Sequence, residues 1–156
     1  MMLGNYRLRR LLGVAAGLTL AASATVPKAW AQPAPDAALY QAGSNAAKRL
    51  LEAGYLVHTF DGAPVYETFL GGGQSRNVSV AIPSAGQYVL LVGGDDDTVD
   101  LDVYFPQVSA SDTTEGPTAL IPFDVNHSGQ FFYNIDMQRC QAANCGVFAV
   151  LLRIGD

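Results

Sequence analysis

Cysteine, histidine and positive charge are all scarce in this chain. Among 156 residues there are 2 Cys, 2 His and 9 Lys+Arg. Two sulfurs with no further Cys or His beside them cannot complete a zinc site, and without a C-x-x-C pair the usual dithiol redox motif is missing. Charged residues of both signs make up only 15% of the chain. No long charge run occurs, which excludes a polyelectrolyte tail and a disordered acidic chain. Membrane-length apolar runs are lacking as well. The stretch from 11 to 24 rises roughly 21 Å as a helix, short of a hydrocarbon core about 30 Å thick.

What is present is a hydrophobic content of 49% in a length suited to one domain with one core. Residues 1–10 hold three arginines and no acid, residues 11–24 are apolar or small, and Ala29-Trp30-Ala31 offers small residues where a signal peptidase reads. We expect residues 1–31 to be a cleaved signal peptide, a mature start at Gln32, and a periplasmic or secreted product. The Arg9-Arg10 pair leaves the export route open. Ala22-Ser23-Ala24 is a second candidate triplet. Four of the nine cations (Arg7, Arg9, Arg10, Lys28) precede the cut, so five remain against 14 Asp+Glu, a net charge of −9. That balance argues against nucleic acid or an anionic membrane as partner, and no stable membrane insertion is expected after cleavage.

The two cysteines, Cys140 and Cys145, fall in CQAANC. In an exported protein they are expected to be bonded, with Ala-Asn and Gly146 supplying the reversal.

Residues 32–54 form a leader and a helix. Pro35 and Asp36 start it, helix formers run to Ala53, and Gly54 stops it. Leu39, Ala46, Leu50 and Ala53 fall on one side and predict a narrow apolar stripe that docks the helix weakly as a lid. From residue 55 to 156 the pattern changes to short runs rich in Val, Tyr, Phe and Ile separated by Gly, Ser and Asp turns. Strands are expected at 55–60, 64–70, 77–82, 86–92, 99–105, 119–125, 130–136 and 147–154. The fold class is therefore mainly β, an antiparallel sandwich of about eight strands with one N-terminal α-helix. Gly71-Gly72-Gly73 lacks the Lys-Ser/Thr of a phosphate loop and reads as a hairpin turn.

An internal echo is also present. Val80-Ala81-Ile82 followed by Gly86-Gln87-Tyr88 returns 43 residues later as Phe123-Asp124-Val125 followed by Gly129-Gln130-Phe131. Two similar hairpins in similar places are expected. By this register the acidic loop after Val92 corresponds to the cysteine loop after Ile135, and residues 99–105 correspond to 147–153.

The aromatic after Gly-Gln in SAGQYVLLV and HSGQFFYNI, the acidic loop, and the Asp-Leu-Asp strand VDLDVYF together resemble the bacterial pre-peptidase C-terminal domain. The resemblance covers roughly residues 64–154. It implies a secreted β-sandwich accessory to hydrolases, involved in substrate binding, secretion or calcium-dependent stability. The leading helix and the lack of an attached protease depart from that pattern.

The densest polar constellation is Asp95, Asp96, Asp97, Asp100 and Asp102. Asp100 and Asp102 are two apart on a strand, hence on one face and about 6.6 Å apart. Asp95, Asp97, Asp100 and Asp102 are candidate ligands for weakly bound calcium, with Asp96 turned outward. The alternative is a solvated acidic turn that keeps the protein soluble and blunts a sheet edge. His58, in a strand, and His127, in an Asn-His-Ser-Gly turn, sit in no G-x-S-x-G or H-E-x-x-H setting and read as ordinary polar positions. Tyr66, Phe69, Tyr104, Phe132 and Tyr133 could form a carbohydrate or peptide platform, or pack as core. The sequence thus favours an exported, non-catalytic binding or stabilising module with an unknown protein or polysaccharide ligand. The competing expectation is a small secreted hydrolase using the 95–102 carboxylates.

Overall fold

The computed structural model describes residues 35–60 and 65–155. The expected signal peptide, the start at Gln32 and the link at 61–64 between the first two expected strands lie outside them. Among the described residues, no helix is long and apolar enough to cross a membrane.

Among the described residues one α-helix, α1 (Pro35–Ala53), precedes nine strands: β1 (Val57–His58), β2 (Val65–Leu70), β3 (Gln74–Ile82), β4 (Gly86–Gly94), β5 (Thr98–Phe105), β6 (Ala110–Asp112), β7 (Thr118–Val125), β8 (Gly129–Cys140) and β9 (Cys145–Ile154). They form two antiparallel sheets. Sheet A has the order β1-β9-β4-β7, with β2 also on β9, and sheet B has the order β3-β8-β5-β6. This is the antiparallel sandwich with one helix that the alternation predicts. The sequence pattern missed β6, whose Ala-Ser-Asp carries no apolar alternation.

Alternation sets which side chains enter the core. Val78, Val80 and Ile82 are buried on β3 between exposed Asn77, Ser79 and Ala81, and Phe131, Tyr133, Ile135 and Met137 are buried on β8. Phe105 sits among them, its ring 4.8 Å from that of Phe123 and 5.9 Å from that of Tyr133. Each such side chain contributes about 1.5–3 kcal/mol by leaving water. The Tyr88 hydroxyl donates back to the Ser84 carbonyl at 2.9 Å and pins the corner between β3 and β4.

Strand β4 is buried on both faces because α1 covers its outer side. The helix docks through Ala38, Ala42 and Ala46, spaced by four, and not through the full stripe the sequence predicts. Leu39 is half-buried and Ala53 exposed. The partners of the alanines are glycines. A Cβ on Gly93 would lie 2.3 Å from the Ala42 carbonyl oxygen, and one on Gly146 would lie 3.0 Å from the Ala38 carbonyl carbon. Small residues on both sides let the helix backbone rest directly on the sheet, where many close contacts add up. Asn45 Nδ2 donates to the Gly94 carbonyl at 2.9 Å and fixes the helix along its axis.

The internal echo takes a form other than paired hairpins. Strands β3 and β4 lie in opposite sheets, as do β7 and β8, so each repeat is a crossover from one sheet to the other. The two copies pair with each other. Val80 lies opposite Phe131 and Tyr88 opposite Phe123, while Ile82 lies opposite Gly129 and Gly86 opposite Val125. Adding 43 to the first residue of each pair and subtracting it from the second turns one ladder into the other. Hence β9-β4-β7 of sheet A and β5-β8-β3 of sheet B are equivalent trios. The Gly71-Gly72-Gly73 turn likewise joins sheet A to sheet B, not two strands of a hairpin. It is closed by the Gln74 N–H donating to the Gly71 carbonyl at 3.0 Å.

Candidate functional site

The acidic segment lies where β4 crosses into β5, side by side with the cysteine loop where β8 crosses into β9. Cys140 and Cys145 are disulfide-bonded, with Cα atoms 5.9 Å apart, as the CQAANC spacing predicts. Asp95 is only 2% exposed. Its Oδ2 accepts the Gly146 N–H at 2.7 Å, and its Oδ1 accepts the Asp97 N–H at 3.2 Å and the Thr98 hydroxyl at 3.1 Å. The Asp95 N–H in turn donates to the Gly146 carbonyl at 3.0 Å, and Gln141 N–H donates to the Asp97 carbonyl at 2.9 Å. A buried carboxylate with three donors is compensated within the chain.

The other acids go elsewhere. Exposed Asp96 accepts from Asn45 Nδ2 at 3.4 Å. Asp100 accepts the Gly116 N–H at 3.2 Å and has an oxygen 3.9 Å from Arg139 Nε, while Arg139 also pairs with Glu115. Asp102 accepts from the Tyr104 hydroxyl at 3.3 Å. The ladder between β5 and β8 shifts register on both sides of Asp100. So Asp95, Asp97, Asp100 and Asp102 are not brought to one point, and among the described residues no group of three or more His, Cys, Asp or Glu side chains is placed to hold a metal. A groove of about 310 Å³ above the loop is bordered by Asn45, Lys48, Arg49, Asp95 and Asp96. His58 lies on β1 opposite Arg153, and His127 Nδ1 is 2.6 Å from Asn126 Oδ1 in its turn.

Of the five aromatics named from the sequence, Tyr133 is buried and Tyr66 packs half-buried against the core. Phe69 faces outward on sheet A. Tyr104 and Phe132 stand on the outer face of sheet B, 37% and 45% exposed. Their setting is a grid: Asn77, Asn134 and Tyr104 lie opposite one another across β3, β8 and β5, and so do Ser75, Asp136 and Asp102, with Ser79 opposite Phe132. Phe132 is therefore diagonal to Tyr104, within reach of an aromatic neighbour. Asn134 Nδ2 donates to Asp136 Oδ1, and Gln130 Nε2 donates to Ser79 Oγ. Partial desolvation, then the charge of Asp102 and its hydrogen bond, then the charge of Asp136, raise the Tyr104 phenol above its ordinary value. Parity alone carries this placement: if Phe131 and Tyr133 point inward, Phe132 points out.

No protein-family model matches the chain, and no curated protein matches it.

Proposed function

We propose that this chain is an exported, non-catalytic β-sandwich module that binds polysaccharide on the outer face of sheet B. The observation that carries the reading is the pairing of two exposed aromatic rings, Tyr104 and Phe132, with Asn77, Asn134, Asp102 and Asp136 on one open sheet face. Aromatic faces stack against the apolar face of a pyranose ring, while amides and carboxylates exchange hydrogen bonds with its hydroxyls. Carboxylates lying opposite each other, as Asp102 and Asp136 do, repel, and ligand hydroxyls donating to them relieve that cost. The disulfide suits an oxidising compartment, in line with the N-terminal sequence pattern. An accessory role is also what the resemblance to pre-peptidase C-terminal domains implies.

The test is retention on insoluble cellulose, chitin and peptidoglycan, with soluble oligosaccharides as competitors. Tyr104→Ala and Phe132→Ala should each weaken retention by about tenfold, equivalent to ~1.4 kcal/mol, with the melting temperature nearly unchanged. Retention on none of these polymers, or retention by both variants as strong as that of the wild type, refutes the reading.

A further inference from the structure

A second surface, on sheet A, carries a different ligand chemistry and does not depend on the sheet B face. Strand β2 pairs only with β9, so its other side is an open edge among the described residues. The remaining edges are proline-interrupted, polar on their outward face or short, β1 having only two residues. On β7, Pro122 removes one donor and Asp112 Oδ2 takes the Leu120 N–H at 2.9 Å; β3 presents Ser75, Asn77 and Ser79; β6 is three residues long. By contrast β2 reads Val-Tyr-Glu-Thr-Phe-Leu, with no Pro or Lys, and turns Val65, Glu67 and Phe69 outward.

Beside this edge runs a groove of about 660 Å³ between α1 and β2. Phe148, directly opposite Glu67 across the β2–β9 ladder, lines it together with Leu39 and Tyr40. Gly43 opens the Phe148 ring to the groove, since a Cβ there would lie 3.5 Å from that ring. Asp36 and Glu67 stand at its rim, both exposed, and among the described residues neither is in an ion pair. An apolar trough edged by two unpaired carboxylates fits a long aliphatic stem ending in a cation.

We infer that the β2 edge and this groove form a docking site for an extended polypeptide segment that presents Lys or Arg opposite Glu67. Main-chain hydrogen bonds from the added strand supply affinity, and the groove reads the basic side chain. A second copy of this chain is the wrong occupant. Two two-fold pairings keep side chains on their own faces and are equally full. In one Glu67 meets its own copy, a like-charge pair directly across the ladder, and in the other Glu67 meets Phe69, so neither offers the carboxylate a cation.

The probes are three short peptides in which Val or Phe alternates with Lys, with Glu or with Thr, each titrated into the isotope-labelled whole chain. The Lys peptide should perturb amide signals of Val65–Leu70 and Leu39–Ala47 and slow amide exchange on β2. It should bind at least about tenfold more tightly than the Thr peptide, with the Glu peptide weaker still. Glu67→Lys should reverse that order and Glu67→Gln should flatten it, whereas Tyr104→Ala should leave it intact, which separates this site from the polysaccharide face. Perturbations that avoid β2, equal binding of the Lys and Glu peptides, or a β2-mediated dimer in sedimentation would each overturn the inference.

Discussion

Asp95 and Gly146 hold each other by two hydrogen bonds. The Asp95 N–H donates to the Gly146 carbonyl at 3.0 Å, and the Gly146 N–H donates to Asp95 Oδ2 at 2.7 Å. They lie 51 residues apart in the chain, Asp95 in the acidic loop and Gly146 at the start of β9 beside the disulfide. Gly146 also supports Ala38 of α1 from below, so this contact joins acidic loop, disulfide loop and helix.

Asp95→Ala should therefore cost far more than a surface acid. Gly146 N–H and the Thr98 hydroxyl lose their acceptor in a buried place, and the Asp97 N–H in a half-buried one, for a cost of about 3 kcal/mol. Urea unfolding should show the midpoint fall with an unchanged slope. Asp96→Ala, at an exposed position, is the control. Similar midpoints for the two variants would remove Asp95 from its structural role.

Gly93→Ala should lift the helix. The new methyl would sit 2.3 Å from the Ala42 carbonyl oxygen and 2.8 Å from Ala46, both on the backbone or close to it. A loss of about 1–3 kcal/mol is expected, with amide protection in α1 falling more than in either sheet. Protection that falls evenly across the molecule would mean the helix is not held through Gly93.

Cys140→Ser opens a ring with a sequence separation of only five. The chain-entropy estimate for so short a loop is about 2 kcal/mol. The melting temperature should drop while the strands still fold, because the core is built by β3, β4, β5, β8 and β9. Titratable thiols in the native, unreduced wild type would refute the bond itself.

Alkaline pH should weaken the fold. Burial, and secondarily the nearby Tyr66, raise the Tyr133 phenol far above its ordinary value of 10.0. The neutral phenol is favoured in the folded chain, so its contribution is complete below pH 10 and is lost as pH rises from the unfolded value towards the folded one. Denaturant midpoints should be level up to about pH 9.5 and decline above it, and Tyr133→Phe should flatten that decline. The same slope in both proteins would assign it to other groups.

Calcium at the concentrations typical of extracellular modules, about 0.1–1 mM, should move the melting temperature no more than sodium at equal ionic strength. Asp95 is already satisfied, Asp100 has Gly116 and Arg139, and Asp102 has Tyr104. A rise reversed by chelator, and abolished by Asp97→Asn, would show that the surface carboxylates gather around the ion.

Strand positions were readable because burial on one face writes itself as alternation, clearly in Val78-Ser79-Val80-Ala81-Ile82. The disulfide was readable from the CQAANC spacing, where a short loop with Gly146 after it can bring the two cysteines together. The helix face was harder, since a stripe is normally judged by its large apolar residues, whereas Ala38, Ala42 and Ala46 are chosen for smallness against glycine. Asp95 was not separable from Asp96 and Asp97 by letter. Its one signal is the Gly93-Gly94 pair before it, which marks backbone brought close to something else. The echo was visible, but not that its two copies would pair with each other, because pairing partners are not encoded in a local pattern.

That mutual pairing sets how the chain must fold. Every ladder except the short one between β5 and β6 joins a strand before Gly116 to a strand after it. Neither half can complete a sheet by itself, so the nucleus has to close loops of tens of residues before any ladder repays their entropy. Folding should be slow and all-or-none. A chain cut near Gly116 should yield two fragments that are unstructured apart and regain the sandwich when mixed, at a rate that rises with their concentration.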